Sequence, residues 1–170
     1  MSISHSKGLA KKAVVNLLRE FRGTASSDRS HLYFMKGAVP DVINPNKDPK
    51  IFRLNDRLVH WGRNQIKISD NAVVSTTSSK PLKEGQATWF YWYRIDEATD
   101  TKYQLIGKLT APEPFDGTGD LVIDLNPSYV GSDPDEIKAK TYVTLGLTYA
   151  IDSVNFGMLE FYDETLRTDG

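Results

Sequence analysis

The sequence predicts a mainly β domain, a β-sandwich or small barrel with an N-terminal amphipathic helix. Roughly six to eight short β-favouring runs are separated by turn residues, which is the spacing of a sandwich or barrel. Only one segment carries helical periodicity, and it lies near the start. The length of 170 residues, 39% hydrophobic, is enough to bury one core without staples. The chain is therefore read as a single domain, 1–170, with a helical segment 1–23, a Pro/Asn-rich excursion 37–50 and a β-rich core 82–164.

From Lys7 to Arg22 the apolar residues Leu9, Ala10, Ala13, Val14, Leu17, Leu18 and Phe21 recur at spacings that place them on one helical stripe. Lys11, Lys12, Arg19 and Arg22 fall largely outside that stripe, and Gly23 stands where a left-handed C-terminal cap would. Thr24 to Ser30 reads as a polar loop, and His31 to Met35 as a strand that stops at Lys36-Gly37. Pro40, Pro45 and Pro49, mixed with Asn44, Asn46 and Asp48, then remove backbone donors and fix φ, so a long surface excursion is expected.

Ile51 to Trp61 is undecided between a helical turn and a strand. Gln65 to Ile68 and Ala72 to Ser75 are short strands, and Ser75 to Lys80 is a loop or hinge. The aromatic run Ala87 to Ile95 and the run Lys102 to Leu109 form a hairpin across the acidic turn Asp96 to Asp100. Phe115 to Asp120 is a turn, Leu121 to Leu125 a strand, and Asp133 to Glu136 a further break. Thr141 to Ala150 and Phe156 to Tyr162 complete the set as two strands.

Charge is nearly balanced over the whole chain, 21 Lys+Arg against 22 Asp+Glu, but unevenly placed. Met1 to Lys67 holds 13 basic and 5 acidic residues, a net of +8, while Ile68 to Gly170 holds 8 and 17, a net of −9. Because charge acts within about 8–10 Å at physiological salt, a locally basic segment matters even at a pI near 6.3. Such a segment is either the solvated face of a core-covering helix or a contact for a polyanion or a neighbouring subunit.

Catalytic signals are absent. The chain has no Cys, its three histidines are scattered, and it contains no nucleophile elbow, phosphate-binding glycine loop or metal-binding helix. Asp116 to Asp120 has a superficial likeness to a calcium loop but lacks its ligand spacing, and a hairpin turn is the simpler reading. His60, beside Trp61 and Arg57, is assigned a structural role. No enzyme, catalytic residue, metal or cofactor is expected. The candidate interaction residues are Lys11, Lys12, Arg19 and Arg22 on the helix and Trp89, Tyr91, Trp92 and Tyr93 on the aromatic strand. Alternation gives that strand aromatic residues on both faces, which means either a central strand buried between layers or an exposed stacking row.

No run approaches the roughly 18 apolar residues of a membrane span, and Met1 to Lys12 lacks a secretory apolar block, so a soluble chain without membrane contact is expected. The basic segment Ala13 to Arg22, the strand Ser30 to Gly37 and the proline-containing loop that follows together resemble the opening of baseplate wedge and related tail or neck proteins of tailed bacteriophages. The resemblance covers about a quarter of the chain and carries over no catalytic residue. It implies a structural assembly subunit located in the virion, which contacts other virion proteins, forms a homo-oligomer or ring, and works through protein–protein surfaces. Nucleic acid is the disfavoured partner. The alternative is a carbohydrate- or nucleic-acid-binding β module that uses the aromatic row as a platform.

Overall fold

The computed structural model describes residues 7–25, 27–40, 54–129, 138–152 and 154, and it is mainly β. In chain order the elements are α1 (Lys7–Arg22), β1 (Arg29–Met35), β2 (Arg57–Gly62), β3 (Ile66–Ile68), β4 (Val74–Thr76), β5 (Gly85–Gln86), β6 (Trp89–Asp96), β7 (Thr101–Thr110), β8 (Leu121–Val122) and β9 (Tyr142–Val143). Five of them form one curled sheet in the order β2-β1-β6-β7-β8. The pairs β3-β4 and β5-β9 make two small separate ladders.

The aromatic run supplies the middle strand of this sheet. β6 pairs antiparallel with β1 on one side and with β7 on the other. Alternation sends Phe90 and Trp92 to the face shared with Leu32, Phe34, Val59 and Trp61, which is the main core. It sends Trp89, Tyr91 and Tyr93 to the opposite face, where they pack with Tyr33 and Met35. Both faces are buried, as a strand apolar on both sides requires. Two of the five strands precede residue 82, so the main sheet draws on both halves of the sequence.

Helix α1 covers the main core, but its buried stripe differs from the expected one. Val14, Val15, Leu18 and Phe21 are buried, whereas Leu9 and Leu17 are 58% and 45% exposed. At about 100° per residue this is a rotation of the buried arc toward the flank that carries Lys11 and Arg22. The rotation follows from what the helix end packs against: Phe21 meets the Trp92 ring at 5.8 Å, and Arg22 is drawn toward β3.

Other elements also depart from expectation. The undecided segment resolves into a 3-10 turn, Leu54–Asp56, followed by strand β2. Residues 75–80 are bonded to the later part of the chain, Thr76 N–H to Ile151 O and Ser79 N–H to Tyr149 O. The expected strand from Leu121 is cut to two residues, and they pair parallel to β7. The expected long strand Thr141 to Ala150 is also reduced, to a 3-10 turn Lys138–Thr141, the two-residue β9 and a bridge at Tyr149. Leu145 and Leu147, which a core strand would bury, stand 56% and 49% exposed around a turn. The excursion beyond residue 40, the acidic break 133–136 and the strand expected at 156–162 lie outside the described residues.

One position shows how tightly the main core is closed. A Cβ built on Gly107, in β7, would stand 2.5 Å from Cε1 of Phe90 and 2.9 Å from Cβ of Asp120. Gly62 has nothing nearer than 3.9 Å. Gly107→Ala should therefore cost about 2 kcal/mol in urea unfolding, while Gly62→Ala stays within about 0.5 kcal/mol of the parent. Equal effects of the two would contradict the packing described.

Candidate interaction surface

The C-terminal end of α1 organises the residues around it. The last carbonyls of a helix lack intrahelical donors and need others. Gly23, at φ +86°, returns its N–H to Arg19 O at 2.8 Å. Glu20 O accepts from Arg94 Nε at 2.5 Å, and Phe21 O accepts from the Ser30 hydroxyl at 2.7 Å. The same Ser30 oxygen accepts from Trp92 Nε1 at 2.7 Å, which ties the helix end to the middle strand. Arg94 is 5% exposed and also reaches the Glu20 carboxylate at 3.0 Å, Asp28 at 3.7 Å and the face of the Tyr103 ring at 4.3 Å.

Beyond this end lies a groove of about 450 Å³ lined by Arg19, Arg22, Gly23, Thr24, Lys67 and Ile68. Arg22 donates Nε to Ile66 O at 2.5 Å. Arg63, at the end of β2, stands behind the groove and donates to Gly23 O at 3.3 Å and Thr24 O at 3.2 Å. Burial, and next the like charge of Arg63, hold the Arg22 guanidinium below its ordinary pKa. It stays charged at neutral pH, because arginine does not deprotonate in proteins. Among the described residues, the carboxylate paired with a lining cation is Asp70, 2.8 Å from Arg19, with side chains 95% and 43% exposed. Such an exposed pair contributes little and is readily exchanged. Among the described residues no carboxylate pairs with Arg22, Arg63 or Lys67.

The structure thus brings Arg19 and Arg22 together in one groove. Lys11 and Lys12 lie outside its lining, farther along α1, with Lys12 exposed and Lys11 half-buried. Arg63 and Lys67 were not among the sequence-expected residues. Their signal was only membership of the basic half, since the β2 to β3 chain reversal that brings them to α1 is a tertiary event.

The aromatic residues are placed quite differently. Trp89, Tyr91, Trp92 and Tyr93 are between 0% and 3% exposed, so they form no solvent-facing row. Their polar atoms are also engaged: Trp89 Nε1 donates to Lys36 O at 3.0 Å, and Tyr91 Oη accepts from Gln104 at 3.3 Å. In the loop expected as a turn, the Asp116 carboxylate accepts from the Thr118 N–H and hydroxyl, and Asp120 accepts from Lys108 N–H at 2.9 Å. Both carboxylates are thus used as local caps.

A second polar cluster occupies the sheet face opposite α1. His31 Nδ1 and His60 Nε2 lie 2.9 Å apart, so one donates and the other accepts. The His60 ring stacks on Tyr33 at 4.7 Å, His31 lies 5.1 Å from Tyr93, and the Arg57 guanidinium sits 4.2 Å over Tyr33. Burial first, then the His31 and Arg57 charges, depress the His60 pKa to about 4.

By fold and surface chemistry this is a mainly β protein with a cation-lined groove at one end of its sheet. Comparison with known families, with curated proteins and with solved structures returns no match.

The histidine pair has a measurable consequence. The folded-state pKa of His60, about 4, lies below its ordinary 6.5, so the unfolded chain binds more protons between these values. The contribution is therefore fully present above pH 6.5 and lost as pH falls toward 4, by about 2–3 kcal/mol for a half-buried group. Denaturant unfolding of the parent and of His60→Gln across this range should show a shallower slope for the variant. Identical slopes would exclude His60 as the titrating group.

Proposed function

We propose that this chain is a structural assembly subunit of a tailed-phage particle, located in the virion and acting through protein–protein contacts without catalysis. The observation that carries this reading is the groove of Arg19, Arg22 and Lys67, backed by Arg63, in which among the described residues only Arg19 is paired with a carboxylate, the exposed Asp70. A surface of this kind suits a carboxylate-rich face of a neighbouring subunit, with charge setting orientation and encounter rate. The resemblance of residues 13–49 to the opening of tail, baseplate and neck proteins supports the particle context. The curled sheet, with β3-β4 and β5-β9 around the same core, supports a small, partly open barrel over a sandwich of two equal sheets.

The chain itself carries a complementary surface. The turn between β6 and β7 exposes Glu97 and Asp100 beside the half-buried Asp96. None of the three takes part in an ion pair. Strand register puts this turn at the same end of the sheet as Arg63, because Ile95 pairs with Arg29 and Gly62 with His31. Two copies related by a two-fold axis would present groove to turn twice, which is the self-complementarity of a closed dimer, and a head-to-tail arrangement of the same contact builds a ring.

Sedimentation velocity on the full chain tests this. Concentration-dependent association at low salt should weaken as salt rises, and the double variant Arg19→Glu, Lys67→Glu should sediment as monomer while unfolding with the parent's midpoint. A monomer under every condition in both forms would overturn the self-contact. Salt-steep binding to duplex DNA that the same variant abolishes would assign the groove to nucleic acid instead.

A further inference from the structure

At the other end of the sheet, where β6 begins, lies an open cleft of about 650 Å³ lined by Gln86, Asn126, Ser128, Tyr129, Tyr142 and Thr144, and we propose that it binds a neutral saccharide. This inference is independent of the cationic groove and relocates sugar binding away from the buried aromatic strand. No described lining residue is charged. Lys140 beside it is 4% exposed and its ammonium already committed, 2.9 Å from Asp124 and 3.1 Å from Asn126 O, so the described residues of the cleft offer no free cation to a phosphate or carboxylate.

What it offers is uncharged hydrogen bonding around an exposed ring. The hydroxyls of Ser128, Tyr142 and Thr144 make no hydrogen bond, and neither do the side-chain carbonyls of Gln86 and Asn126. These are three donor-acceptor hydroxyls and two acceptors, matching a ligand whose own hydroxyls both donate and accept. The Tyr142 ring, 38% exposed because Val143 takes the inward position of β9, can receive the C–H face of a pyranose.

The walls are fixed before any ligand arrives. The Asn126 amide donates across the cleft floor to Ala139 O and to Tyr142 O, the latter at 3.2 Å, and Gln86 Nε2 donates to the Thr141 hydroxyl at 3.2 Å. Tyr129 N–H closes a turn onto Asn126 O at 3.0 Å. The buried Lys140–Asp124 pair anchors the same loop from behind. Both sides of the cleft are thus locked by bonds that leave the outward polar atoms unused, so little ordering is left for binding to impose.

The test is a titration of the isotope-labelled full chain with glucose, galactose, mannose, N-acetylglucosamine and their β-linked disaccharides, followed by amide chemical shifts, with glycerol as control. At least one sugar should give saturable millimolar shifts confined to residues 86, 126–129 and 139–144. Tyr142→Ala should weaken it roughly tenfold, and Ser128→Ala should weaken it less, with the remaining spectrum unchanged. No saturable shift with any sugar overturns the proposal, as do shifts that neither variant alters, or glycerol shifts equal to those of the sugars.

Discussion

The carbonyl groups at the end of α1 set the terms for much of the rest. A buried helix terminus leaves acceptors that must be matched, and here each donor comes from a different place in the chain: Gly23, Ser30 and Arg94. Arg94 is the most demanding of these. Its guanidinium is nearly fully buried, so it has to be paired, and Glu20 O, the Glu20 carboxylate and Asp28 provide the pairing. Ser30 completes the lock by accepting from Trp92 while donating to Phe21. The roll of the helix on the sheet, and with it the direction of Arg19 and Arg22, follows from these bonds.

The same terminus gives part of the cation cluster a structural explanation. A helix end carries roughly half a negative charge, and basic groups around it stabilise the fold by about 0.3–1 kcal/mol. Arg94 and Arg63 donate directly to carbonyls at or just past the helix end, so their positive charge answers that need. Arg19 and Lys67 make no bond to those carbonyls, and Arg22 turns its Nε to β3. They are surplus to the helix dipole. It is this surplus, and not the mere count of basic residues on α1, that the proposed docking role rests on.

How far the sequence discloses this fold depends on whether the deciding contact is local. The hairpin of β6 and β7 and the placing of Phe90 and Trp92 opposite Trp89, Tyr91 and Tyr93 are readable from alternation, because period two is imposed by the strand itself. The buried arc of α1 was not, since both the Leu9–Leu17 side and the Val15–Arg22 side are compatible with periodicity, and the contacts that choose between them come from far along the chain, such as Phe21 with Trp92 and Glu20 with Arg94, 74 residues apart. The strand expected at Thr141 to Ala150 failed for a similar reason. β propensity describes a pleated, half-buried surface, and here only Val143 and Tyr149 find core to face. Of the groove, Arg19 and Arg22 were legible as helix positions, whereas Arg63 and Lys67 reach it through the turn after β2 and the register of β3, which leave no local mark.

The division of the chain into a basic and an acidic half bears on whether those poles cancel on folding. Cancellation would need cations of the first half to meet carboxylates of the second. Among the described ion pairs, only Arg19 with Asp70 does so, and it is exposed. Arg94 does the opposite: it is one of the few cations of the acidic half, and it consumes Glu20 and Asp28, two of the five carboxylates of the basic half. Lys140 with Asp124 lies wholly within the acidic half. The buried and half-buried pairs therefore use up the minority charge of each half instead of joining the majorities. Among the described residues, then, no buried ion pair joins the two majorities, although β1 and β2 of the basic half lie in the same sheet as β6 and β7 of the acidic one.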